Sequence, residues 1–128
     1  SFRKQGLMDT LGARITRIEP GCVEITAPLT SATQQQQGFA HAGLTFAIGD
    51  SAAGYSALSV MPAETEVLTS EMSIHLLAPG AGEELIARGR VIRAGRRLVV
   101  AGADVFVRHK GEETLIATLI GTMVPVPV

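Results

Sequence analysis

The sequence predicts an α+β fold in which an antiparallel sheet covers one long helix, and three observations carry that prediction. The stretch Gly38 to Leu58 is apolar or small at nearly every position and has the length of a core helix rather than a strand. The segments on either side alternate in polarity and are divided by Pro and Gly turns, as strands joined by short connections are. With 128 residues the chain reads as a single domain, 1–128, long enough for one core and too short for two.

In chain order, Ser1 is expected to cap a short helix over Phe2 to Leu11 that Gly12 ends, with Phe2, Leu7 and Leu11 docking it as a flap. Ala13 to Glu19 and Cys22 to Leu29 read as a hairpin turning at Pro20-Gly21. Thr30 to Gln37, with its four consecutive glutamines, reads as a loop feeding the central helix. After the Met61-Pro62-Ala63 break, Glu66 to Ala78 alternates, with Leu68, Met72, Ile74 and Leu76 on one side and Val67, Thr69, Glu71, Ser73 and His75 on the other. Leu85 to Arg93, Leu98 to Arg108 and Leu115 to Val124 complete a meander, and Pro125 and Pro127 are expected to stop pairing. A sheet twisted around one apolar helix is the hot-dog arrangement.

Composition bounds the function. A hydrophobic share of 46% and a mean hydropathy of +0.29 are high for so small a chain, so copies are expected to associate. Eleven basic against twelve acidic residues give a formal charge of -1, which offers no footprint for nucleic acid or a membrane surface. The single cysteine, Cys22, has no internal partner, and no Cys/His spacing suggests a metal. A cytoplasmic setting is expected, since neither a signal pattern nor a bilayer-length apolar run is seen.

On a helical wheel Gly43, Ala47, Asp50, Gly54 and Ala57 fall on one stripe, and Leu44, Ile48, Ala52 and Tyr55 lie opposite. The large face can cover the sheet, and the small face lets a ligand or another backbone approach. Asp50 at its centre is a poor mid-helix residue among small and apolar neighbours, which makes it the leading functional candidate.

Gly38-Phe39-Ala40-His41-Ala42-Gly43 followed by Asp50 resembles the G-x-x-H-G-G motif and downstream Asp of PaaI-like, phenylacetate-degradation-type hot-dog acyl-CoA thioesterases. Leu11-Gly12, the run Ser73 to Pro79 and the run Gly89 to Arg97 match further along, so the likeness covers nearly the whole chain. The resemblance implies that Asp50 acts as general base or nucleophile and that the N–H of Ala42, where the family has glycine, polarises the thioester carbonyl. It also implies that an amide six residues before His41 falls on Gln35, that Thr69 contacts the catalytic carboxylate or its water, and that the active site is shared by two subunits.

Helix geometry points to the same assembly. Ala42 and Gly43 occupy a first turn whose free N–H groups suit a developing oxyanion, but eight residues of helix, about 12 Å, separate Ala42 from Asp50. One helix cannot supply both parts, so Asp50 of one copy is expected to face Ala42 and Gln35 of another across a two-fold axis. Separately from that geometry, the homodimer is expected to assemble into a homotetramer. His41 is expected to hydrogen-bond nearby backbone rather than act as a base. Leu44, Phe46, Tyr55, Leu58 and Met61 are candidates for an acyl pocket and equally suit a core. Arg93, Arg96 and Arg97 flank a tight turn, where they either pair with coenzyme A phosphates or guard a strand edge. The expected activity is hydrolysis of an acyl-CoA without metal or resident cofactor, coenzyme A being part of the substrate. The competing reading is a non-catalytic acyl-CoA-binding or sensing module on the same fold.

Overall fold

The computed structural model describes every residue from Ser1 to Val128. Strands β1 (Arg14–Glu19), β2 (Cys22–Pro28), β3 (Thr65–Leu76), β4 (Glu84–Ala94), β5 (Val99–His109) and β6 (Glu112–Pro127) form one sheet in the order β1-β2-β4-β5-β6-β3. Every neighbouring pair is antiparallel. A short helix, α1 (Gly6–Thr10), precedes β1, and the long helix α2 (Ala42–Leu58) joins β2 to β3. Since β4, β5 and β6 stand between β2 and β3, this connection has to cross the sheet, and α2 is the segment that crosses. Strand β3 is left as an open edge.

The large face of α2 behaves as its pattern predicts except at Tyr55, which is half-buried and shares a cleft with Asp50 instead of lying opposite it. Leu44, Ile48 and Ala52 are buried with Ile25, Ala87, Ala101, Ala103 and Leu119 of the sheet. Each Leu or Ile so buried contributes about 1.5–3 kcal/mol. The closest approach to the sheet comes on this face, where a methyl added to Gly89 would run into the Ala52 carbonyl and Ser56 Oγ. Ser56 Oγ donates to Ala52 O at 2.7 Å and accepts from Val23 N–H at 2.9 Å, pinning helix to strand. On the small stripe Gly43 is exposed and Ala57 is buried in the core, while Gly54, itself little accessible, lines a cleft beside Asp50.

Several other expectations need correction. The helix begins at Ala42 rather than Gly38, because Gly38 takes φ +86° and closes a tight turn in which Gln35 N–H donates to Phe39 O. The N-terminal helix is broken at Gln5, whose extended backbone separates a 3₁₀ turn at Phe2–Lys4 from α1. Ser1 does not cap it with its side chain, and Met8, rather than Leu7, is the residue buried there. Pairing with β3 runs on through Pro125 and Pro127. The β5 ladder ends at Met123, so two prolines of like parity, with no N–H to donate, cost no bond on the side that β5 has vacated.

The last correction concerns β3. A bulge between Thr69 and Glu71 inserts one residue, Ser70, and exchanges the faces beyond it. Val67 therefore packs inward together with Met72 and Ile74, while Leu68, assigned to their side by simple alternation, is 59% exposed.

Candidate active site

Asp50 lies in the middle of α2, half-buried, and its Oδ1 accepts a 2.7 Å hydrogen bond from Thr69 Oγ1. Thr69 shares the inward face of β3 with Val67 by alternation, and the bulge that follows brings Met72 and Ile74 onto that face as well. Oδ2 has no partner within the protomer and remains open to a cleft of about 360 Å³, and no cation pairs with the carboxylate. Burial raises the Asp50 pKa above the ordinary carboxylate value, and the Thr69 hydrogen bond opposes it in part. A half-desolvated carboxylate with one free oxygen can accept a proton or attack an electrophile.

Tyr55, one turn further along, lines the same cleft beside Gly54, Glu66 and Gln5. Its hydroxyl accepts from Gln5 Nε2 at 2.6 Å and lies 3.1 Å from Ser1 Oγ, and Phe2 meets its ring edge-on at 5.7 Å between centroids. Of the five pocket candidates, Tyr55 alone borders this space. Sequence reasoning missed Gln5 and Glu66. No motif marks them, because the contact between the N-terminal segment and α2 is purely tertiary.

The helix start is a separate site. His41 is its N-cap: Nδ1 accepts from Gly43 N–H at 2.8 Å, and the His41 carbonyl accepts from Leu44 and Thr45. With Nδ1 an acceptor, this nitrogen carries no proton. Three of the four first-turn donors are thereby satisfied, and only Ala42 N–H lacks a partner within the protomer. It borders a second cleft, of about 470 Å³, with Gln35, Gln37, Thr45, Leu76 and Pro79. Gln35 Oε1 accepts from the N–H groups of Gln37 and Phe39, which fixes the loop and leaves its amide Nε2 donating to Gln37 Oε1 at 3.2 Å.

The structure thus brings Asp50, Thr69 and Tyr55 together, and Gln35, His41, Ala42 and Gly43 together, but in different places. No residue lines both clefts. Arg93, Arg96 and Arg97 are exposed and form no ion pair within the protomer, unlike Arg88 and Arg90. Ala94, Val99, Met123 and Thr69 lie in one row across β4, β5, β6 and β3, so the arginine turn is at the Asp50 end of the sheet. His75 is exposed, and His109 pairs with Glu83 at 2.6 Å, away from both clefts.

Residues 37–114 match the thioesterase superfamily, well over half of the chain. This chain belongs to the thioesterase superfamily. It is similar to a thioesterase family protein from Silicibacter pomeroyi, with 42% identity over 99% of this chain and 93% of that one and a TM-score of 0.96. A thioesterase from Haemophilus influenzae superposes with a TM-score of 0.88 at 21% identity, over 98% and 86% of the two chains. The PaaI protein of the E. coli phenylacetic acid degradation operon superposes at 0.87 and 20% identity, over 98% and 87%. These two likenesses speak for the fold. The six-stranded sheet on one long helix is the hot-dog fold, which this thioesterase-superfamily member shares with PaaI proteins. No helix in it is long and apolar enough to cross a membrane.

Proposed function

We propose that the protein hydrolyses an acyl-CoA thioester to the free acid and coenzyme A at a site completed by a second copy. The observation that carries this reading is the separation of an underpartnered carboxylate, Asp50, from an unpartnered helix N–H, Ala42, in two clefts of one chain. Hydrolysis needs both at one carbonyl, with reacting atoms about 3–3.5 Å apart. Along β3, Thr69 marks the Asp50 end and Leu76 the Ala42 end. An antiparallel pairing of two open β3 edges about a two-fold axis near Met72–Ser73 sets Thr69 of one copy opposite Leu76 of the other. Each Asp50 then faces the other copy's Ala42. Exposed Leu76 and Leu77, at 58% and 55%, give such a contact apolar area.

In this site the Ala42 N–H, with Gln35 beside it, polarises the thioester carbonyl oxygen. Asp50 either attacks the carbonyl carbon or takes a proton from water that does so, and Thr69 holds the carboxylate in place. Coenzyme A enters as part of the substrate, its phosphates assigned to Arg93, Arg96 and Arg97, and no resident cofactor is called on. Association beyond the dimer, to a tetramer, extends the same reading.

The test is free-thiol release over short, medium, long and aryl acyl-CoAs, with Asp50→Asn and Ala42→Pro beside wild type. Proline at the first helical position deletes the N–H without harming the helix, and the extended His41 backbone tolerates it. Each variant is expected to lose about 10²-fold or more in kcat. Mixed and allowed to exchange subunits, the two inactive proteins recover up to about a quarter of the wild-type rate, because half of the mixed dimers are hybrids with one intact site each. A mixture as inactive as its parts puts both groups in one chain and ends the shared-site reading. Tight acyl-CoA binding with no thiol released by wild type would favour the binding module.

A further inference from the structure

Helix α2 has three interior or first-turn glycines whose surroundings differ. A methyl at Gly49 would press on Leu119 at 2.8 Å, and one at Gly43 would crowd His41 Nδ1 at 3.0 Å, so at both positions a neighbouring side chain would have to shift. At Gly54 a methyl would meet only Val67 Cγ1, at 4.0 Å, an ordinary contact. Its backbone is helical, with no positive φ to explain the residue. Glycine inside a helix is about 1 kcal/mol less favourable than alanine, and nothing in the protomer's own packing offsets that at Gly54.

Gly54 is one turn beyond Asp50 and lines the same cleft. The next residue, Tyr55, lines the cleft too and is fixed there by Gln5 and by its edge contact with Phe2. Resting on the thioesterase reading above, we propose that Gly54 and the Gln5–Tyr55 wall, held in place by Phe2 against the Tyr55 ring, determine substrate size. The missing side chain makes room for the acyl group beside Asp50, and the wall limits how far that group extends.

The test measures an acyl-CoA series from acetyl to decanoyl, plus benzoyl, in two ways: as turnover, and as binding to proteins that also carry Asp50→Asn. Gly54→Ala is expected to melt at or above the wild-type temperature while its kcat/KM for the largest accepted acyl group falls about tenfold relative to acetyl. Phe2→Ala is expected to move the upper limit the other way, by two carbons or more. Unchanged ratios of large to small substrate in both variants, in turnover and in binding, overturn the proposal. If wild type binds the series but releases no thiol, hydrolysis fails as the function, and the binding ratios alone decide the size limit. A Gly54→Ala protein that melts well below wild type shows that packing requires the glycine, and this too overturns the assignment.

Discussion

Asp50 and Glu113 are both carboxylates at the boundary between protein and solvent, and the chain treats them in opposite ways. Glu113, on the sheet face away from α2, accepts two hydrogen bonds from Arg88, at 2.7 and 3.0 Å, and one from Arg108 at 3.0 Å. Those guanidiniums, Arg88 first, hold its pKa down at about 2. Arg88 is itself tied to Glu24 and lies over the Phe106 ring, and Arg108 is tied to Glu84. Asp50 is more buried, has no cation and one hydroxyl donor, and its pKa is shifted upward. A carboxylate that ties strands together is saturated with partners. One kept short of partners retains a free oxygen and a proton affinity that chemistry can use.

The largest effect that separates the two is on Asp50 itself. Asp50→Asn removes the proposed base, yet it should leave a more stable protein at neutral pH. Burial makes the folded state bind the Asp50 proton more tightly than the unfolded state does. The stability linked to that proton is therefore fully present below the ordinary carboxylate pKa and is lost as pH rises through the raised folded value. Asparagine cannot ionise and escapes the loss. Thermal melts should show the variant above wild type at pH 7, with the gap closing below about pH 4. A variant that melts lower than wild type at pH 7 would mean that Asp50 is a stabilising charge like Glu113, and the contrast would collapse.

Thr69→Val sharpens the comparison with a smaller change. The hydroxyl favours ionised Asp50, so without it burial acts unopposed and the pKa rises further. Hydrogen bonds to a charged group contribute about 1.5–3 kcal/mol. The acid limb of kcat/KM should accordingly move to higher pH by about one unit. A loss of rate with the limb in place would show that Thr69 acts on something other than the Asp50 charge.

How much of this was legible beforehand follows from which forces act locally. The apolar run of α2, the Pro/Gly turns and the strand alternation are local signals, and they placed the helix and all six strands within a few residues. Asp50 stood out because a charge amid small residues is rare inside a helix. Thr69 was named from the family likeness, and the Ser70 bulge puts it on the same face as Met72 and Ile74. Alternation alone could not find that bulge, which is why Leu68 was put on the wrong face. The Gln5 hydrogen bond to Tyr55 joins segments fifty residues apart and has no local pattern at all. The arginines from Arg88 to Arg97 look alike in sequence, and only pairing distinguishes Arg88 and Arg90, held by acids, from the unpaired Arg93, Arg96 and Arg97.

The smallest effect belongs to Glu113→Gln, and it tests the other side of the comparison. At neutral pH the substitution breaks ion pairs that are partly exposed to water, so it should lower stability by no more than about 1 kcal/mol. A depressed folded pKa gives stability that is present above the ordinary value near 4.5 and lost as pH falls through about 2. The difference between variant and wild type should thus hold steady from pH 7 to about 5 and vanish towards pH 2. Turnover and its acid limb should not move at any pH, since the cations that serve Glu113 make no ion pair with Asp50. If Glu113→Gln shifts the acid limb, the two carboxylates share a field across the sheet, and the raised pKa of Asp50 can no longer be assigned to its own burial.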